Sequence, residues 1–157
     1  MCLDIFRSTS IVDVFSILNY PFIAMPYICP FCQLLPSSHS LKQVFERNGV
    51  LYYYTCPSQA RMYYDAPSII HHYKGVLNEI NQEWIWIFDG SGFHLDHALQ
   101  TTVAIELAKL LSTFTNLKKI ILINPTFYVK ATYHLVLPFL NPRFLVEMSD
   151  ATCPEEL

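Results

Sequence analysis

The sequence predicts an α/β fold in which a mostly parallel β-sheet is flanked by helices. Two continuous apolar runs of strand length, Trp84-Ile-Trp-Ile-Phe88 and Ile120-Ile-Leu-Ile123, read as strands buried on both faces. From Val50 to Val146 the strand and helix signals alternate as β-α-β-α-β-α-β, the order expected of parallel strands joined by crossover helices. Composition supplies the core: 52% of the 157 residues are hydrophobic and only 15% are charged, against about 25% charged in an average domain. A chain of this length forms one domain and buries roughly 70% of its unfolded surface.

Residues 1–40 form a Pro/Cys-rich segment of uncertain structure, in which residues 1–20 have room for a short helix. The α/β domain is expected over residues 41–150, followed by a tail at 151–157. Ser40 is placed to cap a short helix through Arg47, and Asn48-Gly49 marks a turn. Val50-Leu-Tyr-Tyr-Tyr-Thr55 is β-branched and aromatic, hence a strand. Asp65 precedes Pro67, a cap followed by an early-helix proline. Ile69, Tyr73, Val76 and Ile80 then recur at helical spacing, with His71, His72, Lys74, Asn78 and Glu79 opposite. After the strand at 84–88, Asp89-Gly-Ser-Gly92 makes a turn and Asp96 is placed to cap a helix from about Ala98 to Phe114. Its polar stripe is Thr102, Glu106, Lys109 and Thr113. Lys118-Lys119 leads into the second apolar strand, and Asn124-Pro125-Thr126 starts a helix that Pro138 ends. Phe144-Leu-Val146 reads as the last strand.

A net charge of −3 and a pI near 6.0 leave no basic footprint for nucleic acid, since Lys118-Lys119 is the only local cluster. The longest apolar region, Ile11 to Pro36, is interrupted by Asp13, Asn19 and three prolines, so it matches neither a membrane span nor a secretory signal. Five scattered cysteines make a poor disulfide framework and point to a reducing, cytoplasmic setting.

Several residue groups invite a chemical reading. Cys29-Pro-Phe-Cys32 is half a zinc site or a redox pair, but the nearest further ligands, His39 and Cys56, do not form a paired knuckle. These cysteines therefore read as ordinary buried or half-buried thiols, and no metal ligand and no cofactor are assigned. Asp89-Gly-Ser-Gly92 lacks the third glycine of a dinucleotide fingerprint and the Gly-Lys-Ser/Thr of a P-loop. His94 and His97, three apart, lack a third ligand and read as solvent-side residues at a helix start. His71 and His72 are adjacent and point apart on a helix. His134 reads as a core or pocket histidine. No nucleophile–base–orienter trio, acidic pair or phosphate cradle emerges, so no catalytic residue is assigned. What is left over is aromatic and aliphatic bulk, suited to a filled core or to an apolar pocket.

In order and spacing, three segments resemble the CRAL-TRIO lipid-binding family. They are Trp84-Ile-Trp-Ile-Phe-Asp-Gly-Ser-Gly-Phe93, Leu117-Lys-Lys-Ile-Ile-Leu-Ile-Asn-Pro-Thr126 and Pro138-Phe-Leu-Asn-Pro142. The match covers about residues 46–148, and Tyr52 to His72 resemble the family's opening strand and helix. The resemblance implies a sheet whose one face floors a lipid pocket. Within this sequence the family's amino-terminal helical subdomain and gate-helix region have no counterpart. The expected function is non-catalytic binding, or transfer, of a lipid or other hydrophobic small molecule, with transient contact at a membrane surface. Ligand-lining candidates are Trp86, Phe88, Ile121, Ile123, Phe127, Tyr133, Phe144 and Val146. Asp89, Gly92 and Asn124 are assigned to fold-shaping turns. The alternative is a protein-interaction module or homodimer that has lost its ligand. A third reading is a metal- or thiol-dependent enzyme using Cys29/Cys32 and His94/His97.

Overall fold

Trp84–Asp89 (β3) and Leu117–Ile123 (β4) are neighbouring parallel strands at the centre of a five-stranded sheet. The computed structural model describes residues 25–157, so Cys2 and the short helix expected in residues 1–20 lie outside the described residues. Val50–Thr55 (β2) pairs in parallel with β3, and Leu145–Met148 (β5) in parallel with β4. Lys42–Arg47 (β1) pairs antiparallel with β2, giving the order β1-β2-β3-β4-β5.

β1 replaces the helix expected from Ser40 to Arg47. Asn48 and Gly49 both adopt positive φ, 54° and 76°, as a tight two-residue hairpin requires. The Ser40 hydroxyl accepts a hydrogen bond from the Cys56 backbone N–H at 2.9 Å instead of capping a helix. Exposed Lys42, Glu46 and Arg47 give this strand the charged character that protects a sheet edge.

Ala66–Leu77 (α2) begins where expected, with the Asp65 carboxylate accepting from the Ser68 N–H at 3.3 Å. The helix expected from Ala98 to Phe114 is instead two pieces, Leu95–Ala98 (α3) and Thr101–Leu111 (α4). His94, not Asp96, caps α3, and its backbone N–H donates to His97 Nδ1 at 3.1 Å. Phe127–Val136 (α5) is capped by Thr126, whose hydroxyl accepts from Val129 N–H at 3.2 Å, and ends at the Leu137–Phe139 turn that contains Pro138.

The two sheet faces differ. Tyr53, Trp84, Trp86, Ile120 and Leu122 pack under Ile69, Tyr73 and Leu77 of α2 and Val103, Leu107 and Leu111 of α4. The opposite face carries Tyr54, Ile87, Ile121 and Ile123, against which Ala151 and Leu157 of the carboxyl tail pack. The tail is held there by Asn124 Nδ2, which donates to Thr152 O at 2.9 Å, and by Arg47, which donates to Leu157 O at 2.9 Å. Among the described residues, this face is packed by the carboxyl tail and not by an α-helix. No described helix is long and apolar enough to cross a membrane.

Candidate functional site

Side chains on the helical face of β3, β4 and β5 meet α4 and α5 around an apolar recess of about 80 Å³. Its floor is Trp86, Phe88, Ile120, Leu122 and Val146, and its walls include Ala104, Leu107, Val129 and Val136. Tyr63, Tyr133 and Thr132 contribute the hydroxyl groups on its lining. Tyr133, Leu140 and Val146 also border an outer depression of about 470 Å³, lined further by Leu137, Asn141, Pro142 and Phe144. The wall on this side is thin, because Val129 is the one fully buried residue of α5.

Of the eight ligand-lining candidates, Trp86, Phe88, Tyr133 and Val146 border the recess and Phe144 borders the outer depression. Ile121 and Ile123 point to the opposite sheet face, in register with Ile87 and Asp89. Phe127 is 77% exposed at the start of α5. One pocket therefore cannot hold all eight, because adjacent strand residues alternate between faces. Phe93, fully buried and on the recess wall, is absent from the sequence-derived set. Its position after Gly92 gives no strand or helix period by which to place it.

The Asp89 turn sits at the carboxyl end of β3. The buried carboxylate accepts from the Tyr54 hydroxyl at 2.6 Å, the Ser91 N–H at 2.9 Å and Asn124 Nδ2 at 3.0 Å. Burial, and then this bond to Asp89, push the Tyr54 hydroxyl pKa upward. Gly92 has φ +69°, and a Cβ there would lie 2.8 Å from Ser58 Oγ, so both conformation and space favour glycine. Asn124 also adopts positive φ, 47°, a conformation asparagine tolerates better than most residues.

The histidines fall differently from their expected places. His97 stacks on Phe93 and His94 is exposed, so the pair is occupied with capping α3. His134 is exposed on α5 and is not a core residue. His72, expected on the outer face of α2, is buried and lies against His39 with ring centroids 4.7 Å apart.

That pair belongs to a cluster. Cys29 immediately precedes Pro30–Leu34 (α1), Cys32 lies within it, His39 follows on a turn and His72 comes from α2. One ligand atom from each of the four lies within 4.8 Å of all the others. His39 Nδ1 is 3.4 Å from Cys29 Sγ and 3.5 Å from Cys32 Sγ, and His72 Nδ1 is 4.0 Å from Cys32 Sγ. The tautomer of His39 follows from its other side. Ser68 Oγ donates to Asp65 O at 3.0 Å, so it must accept from His39 Nε2–H at 3.1 Å. Nδ1 then carries a lone pair toward both sulfurs. Burial, reinforced by His72, holds the His39 pKa down at about 4, while burial raises that of the Cys32 thiol. Cys56 lies elsewhere, beside Ser58 and Ser91.

No family model matches this chain, and no curated protein does. The recess and the cluster must therefore be read from their own chemistry. The cluster was hidden in the sequence because its fourth member stands on a helix face that otherwise carries polar residues. The signal that was available is the pairing of a Cys-x-x-Cys with a histidine seven residues beyond its second cysteine.

Proposed function

We propose that this chain binds the apolar chain of an amphiphile, without catalysis, through the recess between the sheet and α4/α5. The observation that carries this reading is the apolar recess, which shares Tyr133, Leu140 and Val146 with a wider depression outside it. At about 80 Å³ the inner recess admits only the end of a chain, because pockets for whole small ligands span about 300–1,000 Å³. The outer depression, about 470 Å³, is of the size needed for the remainder and offers Asn141 as a polar group. The resemblance of residues 46–148 to the CRAL-TRIO family supports the same ligand class. It further suggests transfer between membrane surfaces, and the five scattered cysteines suggest a cytoplasmic setting.

Native mass spectrometry of the purified full chain, followed by solvent extraction and lipid analysis, tests this reading. A discrete adduct identified as a lipid is the expected result. A chain that stays bare after incubation with mixed phosphatidylcholine and phosphatidylinositol vesicles would overturn it. Ala104→Leu supplies an independent check, since its added methyl and methylene groups project from α4 into the recess. Lipid uptake should fall at least tenfold, while the melting temperature holds or rises by a few degrees as a void is filled.

A second reading has its own observation. Leu95 on α3, Leu99 just after it and Phe127 at the start of α5 are 52%, 67% and 77% exposed. Exposed apolar groups of this kind suit a protein partner or a second copy of the chain. A concentration-dependent dimer that carries no lipid would favour this interaction-module reading over the first.

A further inference from the structure

We propose that Cys29, Cys32, His39 and His72 form a closed four-ligand site for a zinc ion that pins the Cys29–His39 region to helix α2. This inference does not rest on the lipid-binding reading.

The geometry distinguishes a metal site from a group of hydrogen-bonded thiols. Two sulfurs, at 3.4 and 3.5 Å, converge on one His39 nitrogen whose single lone pair can accept only one S–H. A cation between the three atoms satisfies both sulfurs and the nitrogen together. Zinc–sulfur bonds of about 2.3 Å and zinc–nitrogen bonds of about 2.0–2.1 Å set tetrahedral ligand atoms roughly 3.3–3.8 Å apart. The two shortest contacts already match this, and the widest pair, within 4.8 Å, needs to close by only about an ångström. His72 adds a buried ring whose Nδ1 lies 4.0 Å from Cys32 Sγ.

The surroundings have the features of an outer shell. Ser68 fixes the His39 tautomer from the far side of the ring, the role such groups play around metal-bound imidazoles. The Tyr27 ring packs edge-on against His72, and its hydroxyl is buried. Charge also balances: two thiolates and two neutral imidazoles cancel a dipositive ion, so the loaded site buries no net charge. Both thiol protons leave to solvent as the two sulfur–metal bonds form. Mixed sulfur and nitrogen ligation in a tetrahedron favours zinc over magnesium or calcium. Four protein ligands leave no position for water, which makes the site structural and not catalytic.

The test uses the full chain, expressed with added zinc and purified under reducing conditions without chelator. Elemental analysis should find about one zinc per chain. Cys32→Ser and His72→Gln should each weaken zinc binding at least 100-fold in chelator competition, and Ser68→Ala about 10–100-fold. Cys56→Ser, outside the cluster, should leave it unchanged. Cobalt(II) gives a readout on the unmodified chain in case the ligand variants do not fold. Intense visible bands of tetrahedral cobalt with a near-ultraviolet thiolate charge-transfer band are expected. A folded chain that carries no zinc and gives the weak spectrum of octahedral cobalt would overturn the site. So would a Cys29–Cys32 disulfide that persists under the same reducing conditions in excess zinc.

Discussion

Asp89→Ala is expected to lower the unfolding free energy by about 3–4 kcal/mol, read as a shifted midpoint in equilibrium urea denaturation. The carboxylate is buried and gathers three donors from three parts of the chain: Tyr54 on β2, Ser91 in its own turn and Asn124 after β4. Alanine strands all three. A bond to a charged acceptor contributes about 1.5–3 kcal/mol, and an unpaired buried donor costs about 1–3 kcal/mol. Some of these donors will find water, which keeps the total below the sum. Asp89→Asn keeps the shape and an acceptor oxygen, and the Tyr54 hydroxyl can turn to accept from the new amide. Its loss should be about 1–2 kcal/mol, roughly that of an ordinary hydrogen bond. Equal losses for the two variants would mean that charge, and not the count of satisfied donors, is what the turn requires. A loss below 1 kcal/mol for alanine would show that the turn holds without its carboxylate.

The same turn shows where sequence reasoning reaches and where it stops. β2, β3, β4 and α2 were legible because their apolar residues are buried and therefore periodic or continuous. β1 was not, since an edge strand spends most of its side chains on solvent and Lys42, Gln43, Glu46 and Arg47 suit a helix surface equally well. Asn48-Gly49 marks a turn in the sequence, but a turn signal alone does not say whether a helix or a strand precedes it. Face assignment failed for a different reason. On an all-apolar strand nothing in the sequence marks which side meets helices, so Trp86 and Ile121 entered one candidate site although they occupy opposite faces. The Cys/His cluster was least legible, because His72 reaches it only through the packing of α2 beside the Cys29–His39 region. Adjacent histidines on a helix point apart, and the fold uses them singly, His71 exposed and His72 buried.

Trp86→Ala joins the stability of the sheet to its proposed function. The indole floors the recess, meets Phe88 and Tyr73 edge-on at 5.5 and 6.4 Å, and donates from Nε1 to Thr55 Oγ1 at 3.0 Å. Its removal should cost about 3–5 kcal/mol. Little of that is polar, because Thr55 Oγ1 keeps its 2.8 Å bond with the Tyr73 hydroxyl. The remainder is void, and a void that opens onto an existing recess can be filled from outside. Indole or benzene added at about 100 times its dissociation constant should restore about 2.7 kcal/mol. Trp84 is the control: it lies two residues earlier on the same strand and face, is fully buried, and donates to Asn116 Oδ1 at 3.2 Å. It does not line the recess. Trp84→Ala should lose a similar 3–5 kcal/mol and regain little from the same probes, because Trp84 is fully buried between the rings of Tyr53 and Phe114 and away from the recess. Differential scanning fluorimetry with and without probe separates the two variants. Rescue of Trp86→Ala alone is the signature of a ligand-accessible recess. Equal rescue of both, or of neither, would mean that the recess is ordinary core and would turn the functional reading toward the exposed surface of α3 and α5.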